Sequence, residues 1–344
     1  MKYFRTSLIL SVAGVVLAAW LGWNEAHSWQ GVATSVFLVS VLGVLEVSLS
    51  FDNAVVNATV LRGMDAVWRR RFLTWGIAIA VFGMRIVFPL VIVAVIADIT
   101  PWGAIQLAVY EPKKYGEVLT SAHVSISAFG GAFLIMVGLR HFLDQDKDVH
   151  WIRSIERPLA RLGRVEAVQI GLVLAMVWAV SAQLKAEEQV TFLVSAIAGL
   201  LTYIAVDGLA ALMEAGGSDA LEGTVRSGLS AFLYLEVLDA SFSFDGVIGA
   251  FALTTNLGII AIGLGIGALF VRSLTVMFVD RGTLTEYRFL EHGAFYAIIA
   301  LGVTMFLQTL THIPEAVTGL TGALLIGLSF WASVRHNRRE QQAG

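Results

Sequence analysis

The sequence predicts an all-α polytopic membrane protein of about ten transmembrane helices, built as two inverted-topology repeats with both termini cytoplasmic. Three observations carry this. The 344 residues are 57% hydrophobic and 14% charged, with a mean hydropathy of +0.77, and a soluble domain needs more polar surface than that. Many apolar runs exceed the roughly 18 residues of a spanning helix, and the alternation of a membrane β-barrel is absent. One acidic, serine-rich motif occurs twice.

Ten apolar segments follow in order. The first, 7–23, comes after Lys2 and Arg5 as a signal peptide would, but no clean small-residue cleavage site ends it, so it is expected to stay as a span. The second and seventh, 31–61 and 227–254, exceed one bilayer crossing and are expected to tilt or break. Both carry the motif. The third and eighth, 72–98 and 257–279, each hold one arginine within the apolar run, Arg85 and Arg272. Segments 123–142, 166–184, 190–213, 292–309 and 316–333 complete the set.

Charge sets the orientation. With the N-terminus inside, 18 of the 23 Lys and Arg fall on the cytoplasmic side, and only Lys113, Lys114 and Lys185 fall outside. That is the positive-inside pattern. The longest cytoplasmic loop, 149–164, mixes Trp151, Ile152, Ile155 and Leu159 with basic residues. It reads either as an amphipathic helix on anionic lipid or as a solvated basic loop that sets orientation. Trp23, Trp75, Trp102 and Trp331 suit interfacial belts. The chain has no cysteine, which excludes disulfides and thiolate sites, and its net charge of −3 suggests no nucleic-acid partner.

The motif reads Glu46-Val-Ser-Leu-Ser50-Phe-Asp52-Asn53 in the second segment and Asp239-Ala-Ser-Phe-Ser243-Phe-Asp245-Gly246 in the seventh. The two copies lie five spans apart, in the second and seventh segments. An odd number reverses direction, so residues 1–186 and 187–344 form inverted halves. Inverted repeats whose polar helices meet near the midplane are a transporter signature.

Four mid-membrane carboxylates left unpaired cost on the order of 10–14 kcal/mol. They need an ion, water, protons or arginine. At 100° per residue, Glu46, Ser50, Asn53 and Asn57 fall within about 60° of one another. Glu236, Asp239 and Ser243 form a matching stripe. Asp52 and Asp245 lie about 120° away and are expected to turn inward only if the helices break near Asn53 and Gly246. The metal-ligand candidates are therefore Glu46, Ser50, Asp52, Asn53, Glu236, Asp239, Ser243 and Asp245, with Arg85 and Arg272 as counter-ions. An oxygen-only set suits Mn²⁺, Mg²⁺ or Ca²⁺ over Zn²⁺ or Cu²⁺.

At these motifs the sequence resembles the TerC family, which includes tellurite-resistance-associated proteins and Alx-type manganese exporters. Glu46, Ser50, Asp52 and Asn53 match its early pattern, and Asp239 and Asp245 its late one. The chain has more spans than that family and carries Gly246 where a small polar residue is common, which places it as a sister branch. The resemblance implies metal efflux, with Glu46, Asp52, Asn53, Asp239 and Asp245 at the site. The expected function is divalent-cation transport, Mn²⁺ efflux foremost, with proton exchange. No permanent cofactor and no enzymatic activity are expected, and the sequence leaves the oligomeric state open. The expected location is a bacterial inner membrane, the partners being lipid, the cation and protons. The alternatives are a scaffold whose acids pair with arginine, and an intramembrane aspartyl enzyme, whose usual signatures are absent.

Overall fold

A computed structural model describes residues 2–76, 78–144, 147–163, 167–215 and 220–343; the side chains of 80, 210–215, 220–227, 244, 245, 315, 316 and 343 lie outside the description. Among the described residues the chain is helical throughout, with no strand.

Helices α1 (Arg5–Ala26) and α2 (Trp29–Leu49) form a hairpin. His27 ends α1 in the left-handed region, and Ser28 caps α2 by accepting the Gly31 N–H at 3.2 Å. Ser50 interrupts the chain before α3 (Phe51–Gly63). Asp65 caps α4 (Ala66–Arg71), which runs into π-helical turns at Phe72–Gly76 and Ile79–Val87 and then α5 (Phe88–Ile96). Helices α6 (Pro101–Tyr110) and α7 (Pro112–Ser121) fold back on α5. Then come α8 (His123–Leu143), α9 (Arg153–Leu162), α10 (Ala167–Ser181), α11 (Ala186–Ala215), α12 (Ala220–Leu253), α13 (Leu257–Asp280), the short α14 (Thr283–Glu286), α15 (Leu290–Gln308) and α16 (Glu315–Ala343).

Among the described residues seven helices are long and apolar enough to cross a membrane: α1, α2, α8, α11, α13, α15 and α16. Counting the bent pairs, α4 to α5 with a 41° bend and α9 to α10 with a 110° bend, the number reaches nine. The surface agrees with a lipid solvent. Val16, Val44 and Leu320 are 63%, 68% and 71% exposed, and a water-soluble surface rarely gathers apolar side chains in this way. The chain is an all-α polytopic membrane protein.

Among the described residues three apolar clusters form the interior, the smallest gathering Leu61, Met64, Trp68, Phe72 and Leu235, and the two larger ones hold most of the helices together. One joins α8, α11 and α15 through Phe133, Phe192, Met305 and Phe306. The other joins α1, α2 and α13 through Ala18, Leu42 and Leu264. Close packing depends on small residues, as is usual between membrane helices. A Cβ on Gly131 of α8 would lie 3.0 Å from the Gly302 carbonyl of α15, and one on Gly302 would lie 3.0 Å from the Gly131 carbonyl.

Three expectations need correction. The second segment does break, but at Ser50 (φ −104°, ψ 17°), a turn before the place expected. Of the two alternatives for the seventh, a break is not the one seen: α12 is continuous through Gly246 to Leu253, which leaves tilt. The stretch after the third segment, read as an outer loop, is two helices. They bury Ala104, Ala108 and Tyr115.

Candidate functional site

The break at Ser50 shapes the site. The Ser50 N–H still bonds the Glu46 carbonyl at 2.9 Å, and Ala54 N–H reaches the Ser50 carbonyl at 3.3 Å. The chain therefore bends without losing its helical rotation. Glu46, Ser50, Asn53 and Asn57 remain on one face, and all four are buried. That face looks onto α12, where Asp239 and Ser243 are buried one turn apart.

The two faces enclose a cavity of about 50 Å³, lined by Glu46, Ser50, Asn53, Asn57, Asp239 and Ser243. One water needs roughly 10–15 Å³, so there is room for a small ion with part of its shell. The π-helical turns supply a wall through Phe72, Gly76, Met84 and Arg85, and α13 supplies Arg272 and Thr275. On the far side of that wall Trp75 and Phe82 are exposed.

Hydrogen bonds tie the donors together. Ser50 Oγ donates to Glu46 Oε1 at 2.9 Å. The Arg85 guanidinium donates to the same oxygen as an ion pair. Asn57 Nδ2 donates to Asp239 Oδ1 at 2.9 Å. Arg272 Nη2 donates to the Leu73 carbonyl at 2.6 Å, so α13 grips the π-helical wall. Three buried oxygens of the lining, Asn53 Oδ1, Asn57 Oδ1 and Ser243 Oγ, have no hydrogen-bond partner in the protein. Buried polar atoms are seldom left so, and water or a cation in the cavity would supply their partners.

Glycines make the fit possible. A Cβ on Gly267 of α13 would lie 2.4 Å from Glu46 Cβ, and one on Gly246 would lie 2.9 Å from Glu46 Oε2. Gly246 thus gives clearance to the carboxylate rather than breaking its helix.

Not every expected residue joins. Asp52 sits in the first turn of α3, where its Oδ1 accepts the Asn53 N–H at 2.9 Å. It faces α16, 3.4 Å from where a Cβ on Gly322 would be, and does not line the cavity. The break at Ser50 leaves it on the opposite face of α3, as regular periodicity requires. Glu236 is buried against Gly76, also outside the lining, with neither carboxylate oxygen hydrogen-bonded. The Asp245 side chain lies outside the described residues. Of the five carboxylates expected, Glu46 and Asp239 are the two whose described side chains face the cavity. Among the described residues no three His, Asp or Glu side chains converge as a metal cluster. The remaining donors are hydroxyl and amide oxygens.

Sequence reasoning missed Gly76, Thr275 and the close approach of α13. The signal for the last is Gly263 and Gly267, four apart, which meet Leu42 and Glu46 of α2 in successive turns.

In comparison with known families, the family model described as a protein of unknown function, DUF475, matches residues 51–340. Nothing matches among the curated proteins or among the solved structures.

Proposed function

The chain belongs to the DUF475 family, and from the cavity its two motif helices share we propose that it moves a divalent cation across the membrane, with Mn²⁺ efflux as its task. The observation that carries this is the joining of Glu46, Ser50, Asn53 and Asn57 to Asp239 and Ser243 around one buried space. Two carboxylates balance one divalent charge. Hydroxyl and amide oxygens complete a hard, oxygen-only set of the kind Mn²⁺, Mg²⁺ and Ca²⁺ accept. The TerC resemblance of the same two motifs supports Mn²⁺ among these.

Arg85 gives the cycle its step. Its guanidinium holds Glu46, so an entering cation competes with it for that carboxylate. Binding then requires Arg85 to move, and with it the π-helical wall. π-Helical turns inside helices are frequent at functional sites. Export of two charges against about 100 mV costs about 4.6 kcal/mol, which inward proton movement would offset.

The proposal includes the full architecture: ten spans, inverted halves at 1–186 and 187–344, and both termini on the cytoplasmic face of a bacterial inner membrane. α12 supplies the tenth span. Its contacts support the exchange of halves. α3 packs on α13 and α15, while α12 packs on the Arg85 wall and on α8.

The test is a flux screen in proteoliposomes with Mn²⁺, Mg²⁺ and Ca²⁺, with and without a pH gradient. Mn²⁺ flux that grows with an opposing proton gradient is expected. Correctly inserted protein that passes no divalent cation under either condition would sink the proposal. The buried Glu46–Arg85 pair favours one second reading, a scaffold in which the acids are interhelical glue. That reading predicts no flux and a protein whose stability ignores Mn²⁺.

A further inference from the structure

Away from the cavity, α9 is held in a way the cation reading does not use. It is a ten-residue helix whose Arg153, Arg157 and Arg161 all point outward and are exposed. Their spacing of four places them on a stripe about 80° wide. Across the helix, about 100° or more beyond Arg161, Ile155 and Leu162 are 47% and 52% exposed.

The one acid of the helix is turned the other way. Glu156 is 1% exposed. Its carboxylate accepts the Trp151 and Ile152 N–H groups, each at 3.1 Å. It lies 3.0 Å from His292 Nδ1 of α15 and 3.5 Å from His150 Nδ1. At the other end Gly163 passes so close to α8 that a Cβ would fall 1.8 Å from the Leu143 carbonyl. α9 is thereby fastened at both ends with its cationic side free and its negative charge withdrawn.

Its place in the fold says what meets that side. α9 turns 110° from α10, and α10 exposes Leu172, Leu174 and Trp178 as a lipid-facing helix does. A helix set across the end of such a span lies along the membrane surface. Apolar side chains can dip below the headgroups while arginines reach the phosphates, which is the behaviour of an interfacial helix.

We infer that the outer face of α9 is a docking surface for anionic phospholipid headgroups, pre-positioned by Glu156 and Gly163. The inference is independent of what the cavity carries. Basic residues near an anionic surface each add an attraction that salt screens.

The absence of cysteine permits a clean test. A single Ser154→Cys substitution places a unique label between the arginine stripe and the apolar edge. The full-length protein, labelled there with an environment-sensitive dye, is reconstituted in phosphatidylcholine with increasing phosphatidylglycerol. The dye is expected to shift toward an apolar signal as phosphatidylglycerol rises, and salt should reverse the shift. Adding Arg153→Gln, Arg157→Gln and Arg161→Gln should move the midpoint roughly tenfold or more toward higher anionic lipid. A shift equal in phosphatidylcholine alone, or unchanged in the triple variant, overturns the inference. So does a shift produced by inorganic phosphate without anionic lipid, since that marks a free-anion site.

Discussion

The side-chain amide of Asn57 on α3 donates to the carboxylate of Asp239 on α12 at 2.9 Å, and this bond joins the two motif copies across the cavity. Asparagine is suited to the position because it can give its amide hydrogens to one carboxylate and keep an oxygen for another partner. That oxygen, Asn57 Oδ1, is one of the unpaired acceptors. Asn57→Leu should remove both roles. The expected result is a loss of about 1–3 kcal/mol in stability, from a buried carboxylate short of a donor, together with weakened Mn²⁺ binding. Thermal melts with and without Mn²⁺ separate the two effects.

Arg85→Gln distinguishes cation handling from glue. Removing one partner of a buried pair costs about 3–5 kcal/mol because the other charge stays buried. Both readings share that loss. In the transport reading Mn²⁺ replaces the missing charge at Glu46, so Mn²⁺ should raise the variant's melting temperature more than the wild type's. A variant that Mn²⁺ does not restore assigns Glu46 to packing alone.

Asp52→Asn should keep Mn²⁺ binding within a factor of a few, because Asp52 faces Gly322 and not the cavity. The motif alone makes Asp52 an expected ligand. Calorimetric titration of this variant beside wild type decides whether the motif or the geometry identifies the ligands. A loss comparable to that of a cavity carboxylate would favour the motif.

Gly267→Val should separate α2 from α13. The space a Cβ needs is already filled by Glu46 Cβ at 2.4 Å, and overpacking costs roughly 1–3 kcal/mol. The measurement is Mn²⁺ affinity and melting temperature together, and both should fall.

The α9 anchor should fail in acid. Burial raises the Glu156 carboxyl, but His292, the Ile152 N–H and Lys147 outweigh it and hold the group at about 2 against an ordinary 4.5. A depressed carboxyl contributes stability above the unfolded value and loses it as pH falls from 4.5 through 2. The contribution at neutral pH is on the order of 2–3 kcal/mol. Glu156→Gln should therefore be less stable than wild type at neutral pH, and the gap should close as pH falls through that window. A gap constant with pH would show that the carboxylate's charge does not hold α9.

Much of the cavity was legible because helical periodicity is simple. The stripe of Glu46, Ser50, Asn53 and Asn57, and that of Asp239 and Ser243, come from spacing alone. The periodicity also placed Asp52 off the stripe, and the structure agrees. What misled was the added break that would have turned Asp52 inward. Gly246 read as a breaker, although its lack of a side chain serves Glu46 instead. The π-helical wall has no comparable signal, since its register is set by packing against α12 and α13 rather than by any local pattern. α6 and α7 did have one. Thr100 and Glu111 each precede a proline, the usual mark of a helix start, but at ten residues each the two helices are too short to stand out as spans.

The central claim is that Glu46 and Asp239 hold one divalent cation between the motif helices. Electron paramagnetic resonance of Mn²⁺ titrated into the purified full-length protein tests it most directly, because bound Mn²⁺ loses the sharp signal of the free ion. Wild type should deplete the free signal, and Asp239→Asn, which keeps the shape of the side chain and removes its charge, should leave most of it. Equal depletion by both proteins, or none by either, would contradict the account.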